Sequence, residues 1–371
     1  MNEAGQTVSL FMIVKNECHV LRRCLESVRP LIDHWTIVDT GSTDGTQELA
    51  RECLQDLPGS LVERPWKDFG HNRSESIVLA QGHSDYLLTL DADEYIVAEP
   101  GFKWPHLQRD AYSFVVDSGA VLYTRIQLVR AQLPWRYEGV LHEYLTCDQT
   151  YSLEPMGGIK TTRLLEGARS RDPLTYRRDA DLLERALHQD PGNPRNVFYL
   201  AQSYRDAQEP ELALDRYLQR SRMDGFPEEI WCSLYEAAKL MEATGRDWAT
   251  VQDAYLQAYR YRPVRAEPLY RIGVAFSGQH NFDEAIRYLG HGMNLPEPTG
   301  EQLFVESDVY RFLLPLEYAV ACYWLGRHSE AISIIDRLLE DESLTADRKT
   351  LLLRNRQHSL SAMTSEFSAG T

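Results

Sequence analysis

The sequence predicts an α/β domain with a mostly parallel sheet, followed by an all-α domain built from helical repeats. Short apolar runs at residues 8–14, 36–38 and 86–90 alternate with amphipathic stretches in the first part of the chain, as the strands and crossover helices of a parallel sheet do. A polar stretch at 169–173 then precedes a region with helical periodicity. With 371 residues, the chain is long enough for two domains that each bury a core.

The α/β part begins with a strand at residues 8–14, which is almost entirely apolar, as expected for a parallel strand that is buried on both faces. Leu21, Leu25 and Val28 follow with the spacing of one helical face. The remaining elements are predicted as strands at 36–38, 60–64 and 86–90, helices at 46–54 and 73–80, and antiparallel strands at 111–116 and 120–129.

From about residue 174 onward, the pattern is helical and is interrupted by turn signals. Pairs of small residues recur in this region, and the two members of each pair lie twelve positions apart. The spacing resembles that of the tetratricopeptide repeat, in which small residues allow paired helices to approach each other. An unspecified α-helical bundle is the alternative. The pairs are Ala201 with Ala213, Gly273 with Ala285, and Ala319 with Ala331.

Two acidic motifs follow predicted strands of the α/β part. Asp39 ends one strand in the run IVDTGSTDGT, and Asp91 and Asp93 follow another in the run LTLDADE. Ligands of open α/β sheets bind just outside the carboxyl ends of the strands. An Asp-x-Asp pair also suits a hard divalent cation that carries phosphates. Together the two motifs indicate a site for a nucleotide sugar.

These motifs, together with SLFMIVKNE at 9–17, resemble those of the family-2 inverting glycosyltransferases, which have a GT-A fold. The similarity is to the bacterial branch that carries helical repeats after the catalytic domain, and some members of that branch glycosylate ribosomally made peptides. The resemblance covers roughly the first 145 residues. It implies a Rossmann-like GT-A domain at 1–166. The repeat pattern itself predicts a tetratricopeptide-like domain at 172–360, and the end of the chain at 361–371 is expected to be disordered.

The resemblance also implies roles for individual residues. Asp39 would bind the uracil or ribose of a UDP-sugar donor, and Glu17 would belong to the same donor site. Asp91 would contact the ribose or the metal shell, and Asp93 would bind Mn²⁺ or Mg²⁺ at the diphosphate. Arg73 matches the basic residue of the family that contacts the nucleotide, and a guanidinium suits a phosphate or a base edge. Alternatively, Arg73 is a helix-start residue on a solvated face.

His142 and Glu143, in the run WRYEGVLHE, match a late His-Glu element of this branch. An imidazole can complete a metal shell that a carboxylate such as Asp93 has begun. A neighbouring carboxylate can deprotonate the acceptor. The sequence lacks the Glu-Asp pair that supplies the base in many family members, so the base assignment stays open between Glu143, Glu138 and Asp117.

Other interpretations of the acidic motifs are less consistent with the sequence. Aspartic proteases also use Asp-Thr-Gly, but they need two such aspartates that share a proton, and this chain has one Asp-Thr-Gly run. Phosphatases of the haloacid dehalogenase type continue Asp-x-Asp with an apolar residue, where this chain has Glu94. In a purely structural interpretation, Asp44 and Ser42 cap the following helix, which leaves Asp39 unexplained.

The composition narrows the range of partners and compartments. A net charge of −16 disfavours nucleic acid and anionic membrane surfaces. The chain contains no apolar run long enough to span a membrane, and its acidic start is unlike a secretion signal. Six scattered cysteines without a C-x-x-C pair indicate reduced thiols in the cytoplasm. Self-association into a homodimer stays open.

The sequence therefore predicts a metal-dependent inverting glycosyltransferase that moves a sugar from a UDP-sugar to a peptide or protein side chain held by the repeats. Carboxylates of the repeats, such as Glu228, Glu229 and Asp247, are expected to be exposed and to attract a basic peptide. In one alternative the acceptor is a cell-surface glycan or a lipid-linked molecule. In another, the chain is a scaffold with an inactive transferase domain.

Overall fold

The computed structural model describes residues 4–119, 122–164, 166–299 and 303–369. The chain forms two compact units, Met1–Gly192 and Asn193–Thr371. The first unit therefore extends beyond residue 166, where the sequence analysis ended the catalytic domain. A helix at Thr175–Gln189 belongs to it. Asp179 on this helix accepts hydrogen bonds from Arg169 at 2.8 and 2.6 Å, which joins the helix to the segment before it.

The first unit begins with alternating strands and helices and continues with mainly β structure. Its elements are β1 (Val8–Val14), α1 (Cys18–Val28), β2 (His34–Asp39), α2 (Thr46–Cys53), β3 (Gly59–Glu63), α3 (Phe69–Ala80), β4 (Tyr86–Thr89), β5 (Glu94–Ala98), β6 (Ala111–Asp117), β7 (Leu122–Arg130), β8 (Trp135–Glu138), β9 (Tyr144–Cys147), β10 (Leu153–Arg163), α4 (Ala168–Arg171) and α5 (Thr175–Gln189).

Eight of these strands form one sheet in the order β3-β2-β1-β4-β7-β6-β10-β5, and β8 pairs with β9 in a separate hairpin. Strands β1 to β4 are parallel to one another. The antiparallel strand β7 joins β4 to β6, and β10 pairs in parallel with β6 and antiparallel with β5. This mostly parallel first half with helical cover confirms the predicted α/β architecture.

The central strand of the first unit, β1, is buried on both of its faces. Leu10 and Met12 of β1 pack in a core that includes the buried face of α1, whereas Phe11 packs in a second core with Ile77 of α3. Alternate residues of a strand point to opposite faces. Both cores therefore need apolar residues along β1, which explains the apolar run in the sequence.

Two strands of the sheet were absent from the sequence-based prediction. β5 follows the acidic motif directly, and β10 contains Pro155, Gly157 and Gly158, which are signals for turns in a short-range analysis. Between Pro155 and Lys160, the pairing of β10 with β6 shifts register at a bulge, which accommodates these residues. The strand predicted at 120–129 is described from Leu122 onward, and residues 120–121 lie outside the described residues.

The second unit is helical. Its elements are α6 (Pro194–Asp206), α7 (Pro210–Arg220), α8 (Pro227–Ala243), α9 (Trp248–Tyr261), α10 (Glu267–Gly278), α11 (Phe282–Met293), a π-helical turn (Val309–Leu313), α12 (Leu314–Trp324), α13 (His328–Leu339) and α14 (Ala346–Ala369).

The small residues twelve positions apart lie where paired helices meet, as the repeat pattern predicts. Ala201 and Ala213 are fully buried on α6 and α7, and Ala331 is fully buried on α13. At Gly273 of α10, an added Cβ atom would lie 2.4 Å from the side chain of Leu289 on α11. Only glycine allows this approach, so the spacing reflects tetratricopeptide-type packing.

Two carboxylates of the repeats are buried, so the prediction that they attract a peptide is wrong. Glu228 accepts the backbone N–H of Leu303 at 2.6 Å, and Glu229 forms an ion pair with Arg220 at 3.1 Å. Both glutamates are less than 7% exposed. Asp247 caps α9 by accepting the N–H of Thr250. Glu228 and Glu229 therefore stabilise the repeats instead of facing a ligand, whereas the side chain of Asp247 is exposed as predicted.

The C-terminal tail is helical up to Ala369, whereas the sequence analysis expected disorder from residue 361. Residues 370 and 371 lie outside the described residues. The stretch before Gly370 contains Leu, Met, Ala and Glu without proline, a composition that favours continuation of the helix. All six cysteines are free thiols. Within the described residues, no helix has both the length and the apolar character needed to cross a membrane.

Candidate active site

Three strand ends bring the predicted site residues to one edge of the sheet in the first unit. Strand β1 lies between β2 and β4 and runs parallel to both, so the carboxyl ends of the three strands meet at this edge. Glu17 follows β1, and Asp39 is the last residue of β2. Asp91 and Asp93 come shortly after β4.

Asp39 is fully buried, and its two carboxylate oxygens differ in their surroundings. Oδ1 accepts the backbone N–H groups of Gly41 and Ser42, each at 2.8 Å. Oδ2 is buried and has no hydrogen-bond partner among the described residues. A buried acceptor without a donor is unfavourable, so this oxygen is suited to receive an N–H or O–H group from a ligand.

The loops after β1 and β2 hold each other in place. The backbone N–H of Asn16 donates to Ser42 Oγ at 2.9 Å, and the side-chain oxygen of Asn16 accepts the N–H of Thr43 at 2.8 Å. Asp44 accepts the N–H of Thr46 at 3.1 Å at the start of α2, as predicted. The hydroxyl of Ser42 is instead used between the loops, which corrects its predicted capping role.

Arg73 of α3 connects the Asp-x-Asp motif to the loop between β8 and β9. Its guanidinium pairs with Asp91, and its Nε atom lies 2.6 Å from a carboxylate oxygen of Glu143. Burial raises the pKa of Glu143, although the charge of Arg73 opposes this effect. Burial would also raise the pKa of Asp91, but the guanidinium groups of Arg73 and Arg125 outweigh it and hold that pKa low.

Arg125 of β7 is a second cation in this cluster. Its Nη2 atom lies 2.6 Å from Glu94, and its Nη1 atom lies 3.5 Å from the second carboxylate oxygen of Asp91. Glu94 is fully buried and also accepts the backbone N–H of Asp91 at 3.0 Å. Both oxygens of Asp91 therefore face guanidinium groups.

Asp93 is 9% exposed, and its cationic neighbour is more distant. The Nε atom of Arg163, at the end of β10, lies 3.7 Å from Asp93 Oδ2. Burial raises the pKa of Asp93 and the charge of Asp91 adds to this rise, while Arg163 opposes it. Asp93 thus keeps a carboxylate that is only loosely paired.

Glu17 lies beside the segment that follows β10. Its two carboxylate oxygens accept the backbone N–H of Ala168 at 3.1 and 3.3 Å. Burial raises the pKa of Glu17 to about 7, and the charge of Asp93 contributes to the rise. A Cβ atom added to Gly167 would lie 3.5 Å from Asp93 Oδ2. The same segment therefore contacts both carboxylates.

The structure separates the three candidate bases. Glu143 belongs to the cluster around Arg73, with only 11% of its side chain exposed. Glu138 is exposed and pairs with Arg136 at 3.4 Å. Asp117 pairs with Lys160 at 3.1 Å, and 30% of its side chain is exposed. Of the three carboxylates, Glu143 is the one that is ion-paired to the Asp-x-Asp motif through Arg73.

His142 is exposed in the loop between β8 and β9, where its backbone has a left-handed φ of +50°. Its joint role with Asp93 as a metal ligand stays a prediction. Within residues 4–119, 122–164, 166–299 and 303–369, no group of three or more histidine, cysteine or carboxylate side chains is arranged to hold a metal ion.

The carboxylate of Asp93 nevertheless fits a cation such as Mg²⁺, which needs few protein ligands. Mg²⁺ is commonly held by one or two carboxylates together with substrate phosphates and water molecules, without a cage of protein ligands. Asp93 offers one such carboxylate, since its partner Arg163 is loosely placed. Asp91 fits less well because two arginines occupy its oxygens.

Sequence reasoning missed Glu94, Arg125 and Arg163 as members of the site. Arg125 and Arg163 lie on β7 and β10, and their proximity to the acidic motif depends on how those strands join the sheet. Short-range patterns carry no signal for such pairing. Glu94 could have been found, because it follows Asp93 directly.

Comparisons with known proteins agree with this architecture. Residues 9–100 match the family model described as Glycosyl transferase family 2. A TPR repeat-containing protein of Synechococcus elongatus is 31% identical over 303 residues, which cover 76% of this chain and 72% of that protein. The SPbeta prophage-derived glycosyltransferase SunS of Bacillus subtilis is 24% identical over 230 residues, which cover 58% of this chain and 53% of SunS.

An uncharacterized glycosyltransferase of Rickettsia felis is 31% identical over 94 residues, which cover 25% of this chain and 31% of that protein. Among solved structures, the C-terminal part of a TPR repeat-containing protein from Cytophaga hutchinsonii matches with a TM-score of 0.41 and 16% identity. That match covers 52% of this chain and 67% of the solved one.

Proposed function

Since the chain belongs to the family-2 glycosyltransferases that carry C-terminal tetratricopeptide repeats, we propose that it transfers a sugar from a UDP-sugar to a peptide or protein. The transfer inverts the anomeric centre and depends on Mn²⁺ or Mg²⁺. The first unit binds the donor and carries out the chemistry, and the repeats bind the acceptor. The observation that carries the proposal is the buried Oδ2 atom of Asp39 at the shared edge of the strands, which has no hydrogen-bond partner in the described part of the chain.

The nucleoside of the UDP-sugar supplies the hydrogen-bond donor that Oδ2 of Asp39 lacks. Uracil has an N–H group and ribose has hydroxyl groups, and each can donate to Oδ2. Oδ1 is already held by the N–H groups of Gly41 and Ser42, so the carboxylate cannot rotate without losing two hydrogen bonds. The orientation of the free oxygen is therefore fixed before the donor binds, which lowers the entropic cost of binding.

The diphosphate of the donor lies near Asp93 in this proposal. Asp93, with His142 as the second predicted ligand, would hold a divalent cation, which would offset the negative charge that develops on the leaving UDP. Arg73 and Arg125 fix Asp91 beside it through ion pairs. Asp91 is thus held in place for the contact with the ribose or the metal shell that the family resemblance implies.

Glu143 is the general base of the proposed reaction. Its carboxylate takes the proton of an acceptor hydroxyl or thiol, and the freed electron pair forms a bond to the anomeric carbon. The bond from that carbon to the diphosphate oxygen breaks, and UDP leaves with the electron pair. Burial raises the pKa of Glu143, which increases its strength as a base. Such a base contributes roughly 10²- to 10⁴-fold to the rate.

The repeats support a polypeptide acceptor because stacked helical pairs form extended surfaces that bind peptides. Their large aromatic residues Tyr204, Trp231 and Tyr255 are at most 2% exposed and act as core. Since Glu228 and Glu229 are also buried, acceptor recognition rests on other exposed side chains of the repeats. The net charge of −16 favours a basic acceptor.

Calorimetry and a turnover assay test the proposal with the full chain. UDP and UDP-sugars are titrated into the protein, once in the presence of Mn²⁺ and once in the presence of EDTA. The hydrolysis of UDP-sugars is followed over hours. We expect Mn²⁺-dependent binding of UDP and slow release of the sugar. If no nucleotide of a panel with several bases binds, the chain is a repeat scaffold with an inactive transferase domain. Binding of GDP or dTDP in preference to UDP would contradict the uridine assignment alone.

A further inference from the structure

Three arginines surround the carboxylates of the site, and they differ in how firmly they are held. Arg73 pairs with Asp91 and lies 2.6 Å from Glu143, and Arg125 lies 2.6 Å from Glu94. Arg163 lies 3.7 Å from Asp93, and 39% of its side chain is exposed. Ion pairs of this length and exposure are weak, so Arg163 can leave its carboxylate more easily than the other two arginines.

The backbone next to Arg163 is fixed, whereas its side chain is held by a hydrogen bond with Tyr123 and by the distant carboxylate of Asp93. The N–H of Leu164 donates to the carbonyl oxygen of Asp93 at 3.1 Å, and Arg163 itself pairs with Glu94 in the register of β10 and β5. The base of the side chain is therefore anchored beside Asp93. A guanidinium anchored there can reach groups around this carboxylate by rotating its side chain alone.

A cation and Arg163 compete for the same oxygen. Asp93 Oδ2 is the atom that faces Arg163, and Asp93 is also the carboxylate best suited to a divalent cation. When the cation binds, the two positive charges repel each other. The diphosphate of the donor arrives with the cation and offers oxygens that a guanidinium binds with two parallel hydrogen bonds.

We propose that Arg163 neutralises Asp93 in the donor-free protein and moves to the donor diphosphate when a divalent cation takes its place. Arg163 is thus a positioning residue for the leaving group, which neither the family match nor the sequence motifs assign. This inference rests on the proposed function, because it needs a diphosphate at Asp93. It predicts that replacing Arg163 raises the affinity for the metal and lowers the affinity for the diphosphate.

The test compares Arg163→Met, Arg163→Lys and Arg109→Met in the full chain. Arg109 is a matched control because it also pairs with a carboxylate. Its Nε atom lies 2.9 Å from a carboxylate oxygen of Glu154, which belongs to β10 and lies near the opposite end of that strand. Calorimetry measures the affinities for Mn²⁺ alone and for UDP and inorganic pyrophosphate, each with Mn²⁺ and with EDTA. Circular dichroism and thermal melting establish that each variant is folded.

For Arg163→Met, we expect the affinities for UDP and pyrophosphate to fall about tenfold, as after loss of a charged hydrogen bond. The affinity for Mn²⁺ alone should rise about threefold or more, because Asp93 loses its competing cation. Arg163→Lys should retain most of the pyrophosphate affinity. Arg109→Met should bind all three probes like the wild type.

Affinities for UDP and pyrophosphate within twofold of the wild type in Arg163→Met would overturn the inference. So would an equal fall in the affinities for Mn²⁺ and pyrophosphate, because that result describes a residue that only maintains the local structure. Binding of pyrophosphate that depends on Arg163, without binding of UDP, would support the inference while contradicting the uridine assignment. If the wild type binds neither probe under either condition, the proposed function and the inference both fail.

Discussion

The Nε atom of Arg73 lies 2.6 Å from a carboxylate oxygen of Glu143, and the same guanidinium pairs with Asp91. This relationship joins two motifs that lie about fifty residues apart in the sequence. It depends on close packing at the start of α3, where an added Cβ atom on Gly70 would lie 2.2 Å from the carbonyl oxygen of Gly139. The loop that carries Glu143 can approach Arg73 because residue 70 has no side chain.

Glu143→Gln should separate catalysis from binding. Glutamine keeps the shape of the side chain, but it cannot take the proton of the acceptor. We expect the affinity for UDP to persist and the rate of transfer to fall roughly 10²- to 10⁴-fold. Glu138→Gln is the matched control, because Glu138 is exposed on the neighbouring strand. An equal fall in affinity and rate would make Glu143 structural.

Asp39→Asn should weaken nucleotide binding. The amide oxygen of asparagine can still accept the N–H groups of Gly41 and Ser42, and its NH₂ group then replaces the free acceptor Oδ2. The affinity for UDP should fall by about 10- to 100-fold, as for loss of a charged hydrogen bond. Asp56→Asn serves as the control because its side chain is 66% exposed. Unchanged calorimetric affinity would make Asp39 a turn residue without a ligand.

Asp93→Asn should abolish turnover and the Mn²⁺-dependent part of UDP binding. Burial raises the pKa of Asp93, so the fold disfavours its charged form and a neutral amide should not lower the melting temperature. This expectation distinguishes a metal ligand from a structural ion pair, whose loss would destabilise the protein. Asp148→Asn is the control, since 74% of that side chain is exposed. Full activity of Asp93→Asn in EDTA would refute the role in metal binding.

The sequence predicted the parts of the site that depend on local order. Asp39, Asp91 and Asp93 follow strands that short-range patterns reveal, and the parallel arrangement of those strands brings their ends together. The arginines Arg125 and Arg163 could not be predicted, because they reach the site through non-local strand pairing. The burial of Glu228 was missed for a related reason, since its partner Leu303 lies in a loop 75 positions away.

Glu17→Gln should stabilise the protein at high pH. Burial raises the pKa of Glu17 from 4.5 to about 7, so the folded state favours the protonated form. Protonation of Glu17 contributes favourably to the free energy of unfolding. This contribution is complete below pH 4.5 and is lost as the pH rises through 7. The substitution should therefore leave urea unfolding near pH 5 almost unchanged and add about 1–2 kcal/mol near pH 8, after allowance for partial exposure.

The control for this measurement is Glu26→Gln, whose side chain is 63% exposed on α1. The free energy of unfolding of Glu26→Gln should equal that of the wild type near pH 5 and near pH 8. Equal stability of Glu17→Gln and the wild type at both pH values would contradict the raised pKa. If Glu17→Gln is less stable than the wild type near pH 8, the fold requires the charged form of Glu17.

Removal of the repeats should abolish transfer to a polypeptide and spare the donor chemistry. The division between the compact units lies after Gly192, so a protein that ends there keeps the helix Thr175–Gln189 and its contact with Arg169. A truncation near residue 172 would remove that helix from the first unit. We expect the 1–192 protein to melt cooperatively, to bind UDP with Mn²⁺ like the full chain and to hydrolyse a UDP-sugar slowly.

Transfer to a protein acceptor should be lost in this truncated protein, because the repeats that are proposed to bind the acceptor have been removed. Mass spectrometry of a candidate peptide acceptor measures the transfer, and the full chain at the same concentration is the control. Glycosylation of the peptide by the folded 1–192 protein as fast as by the full chain would contradict the role of the repeats in acceptor binding. The repeats would then serve assembly, and a small glycan would be the better candidate for the acceptor.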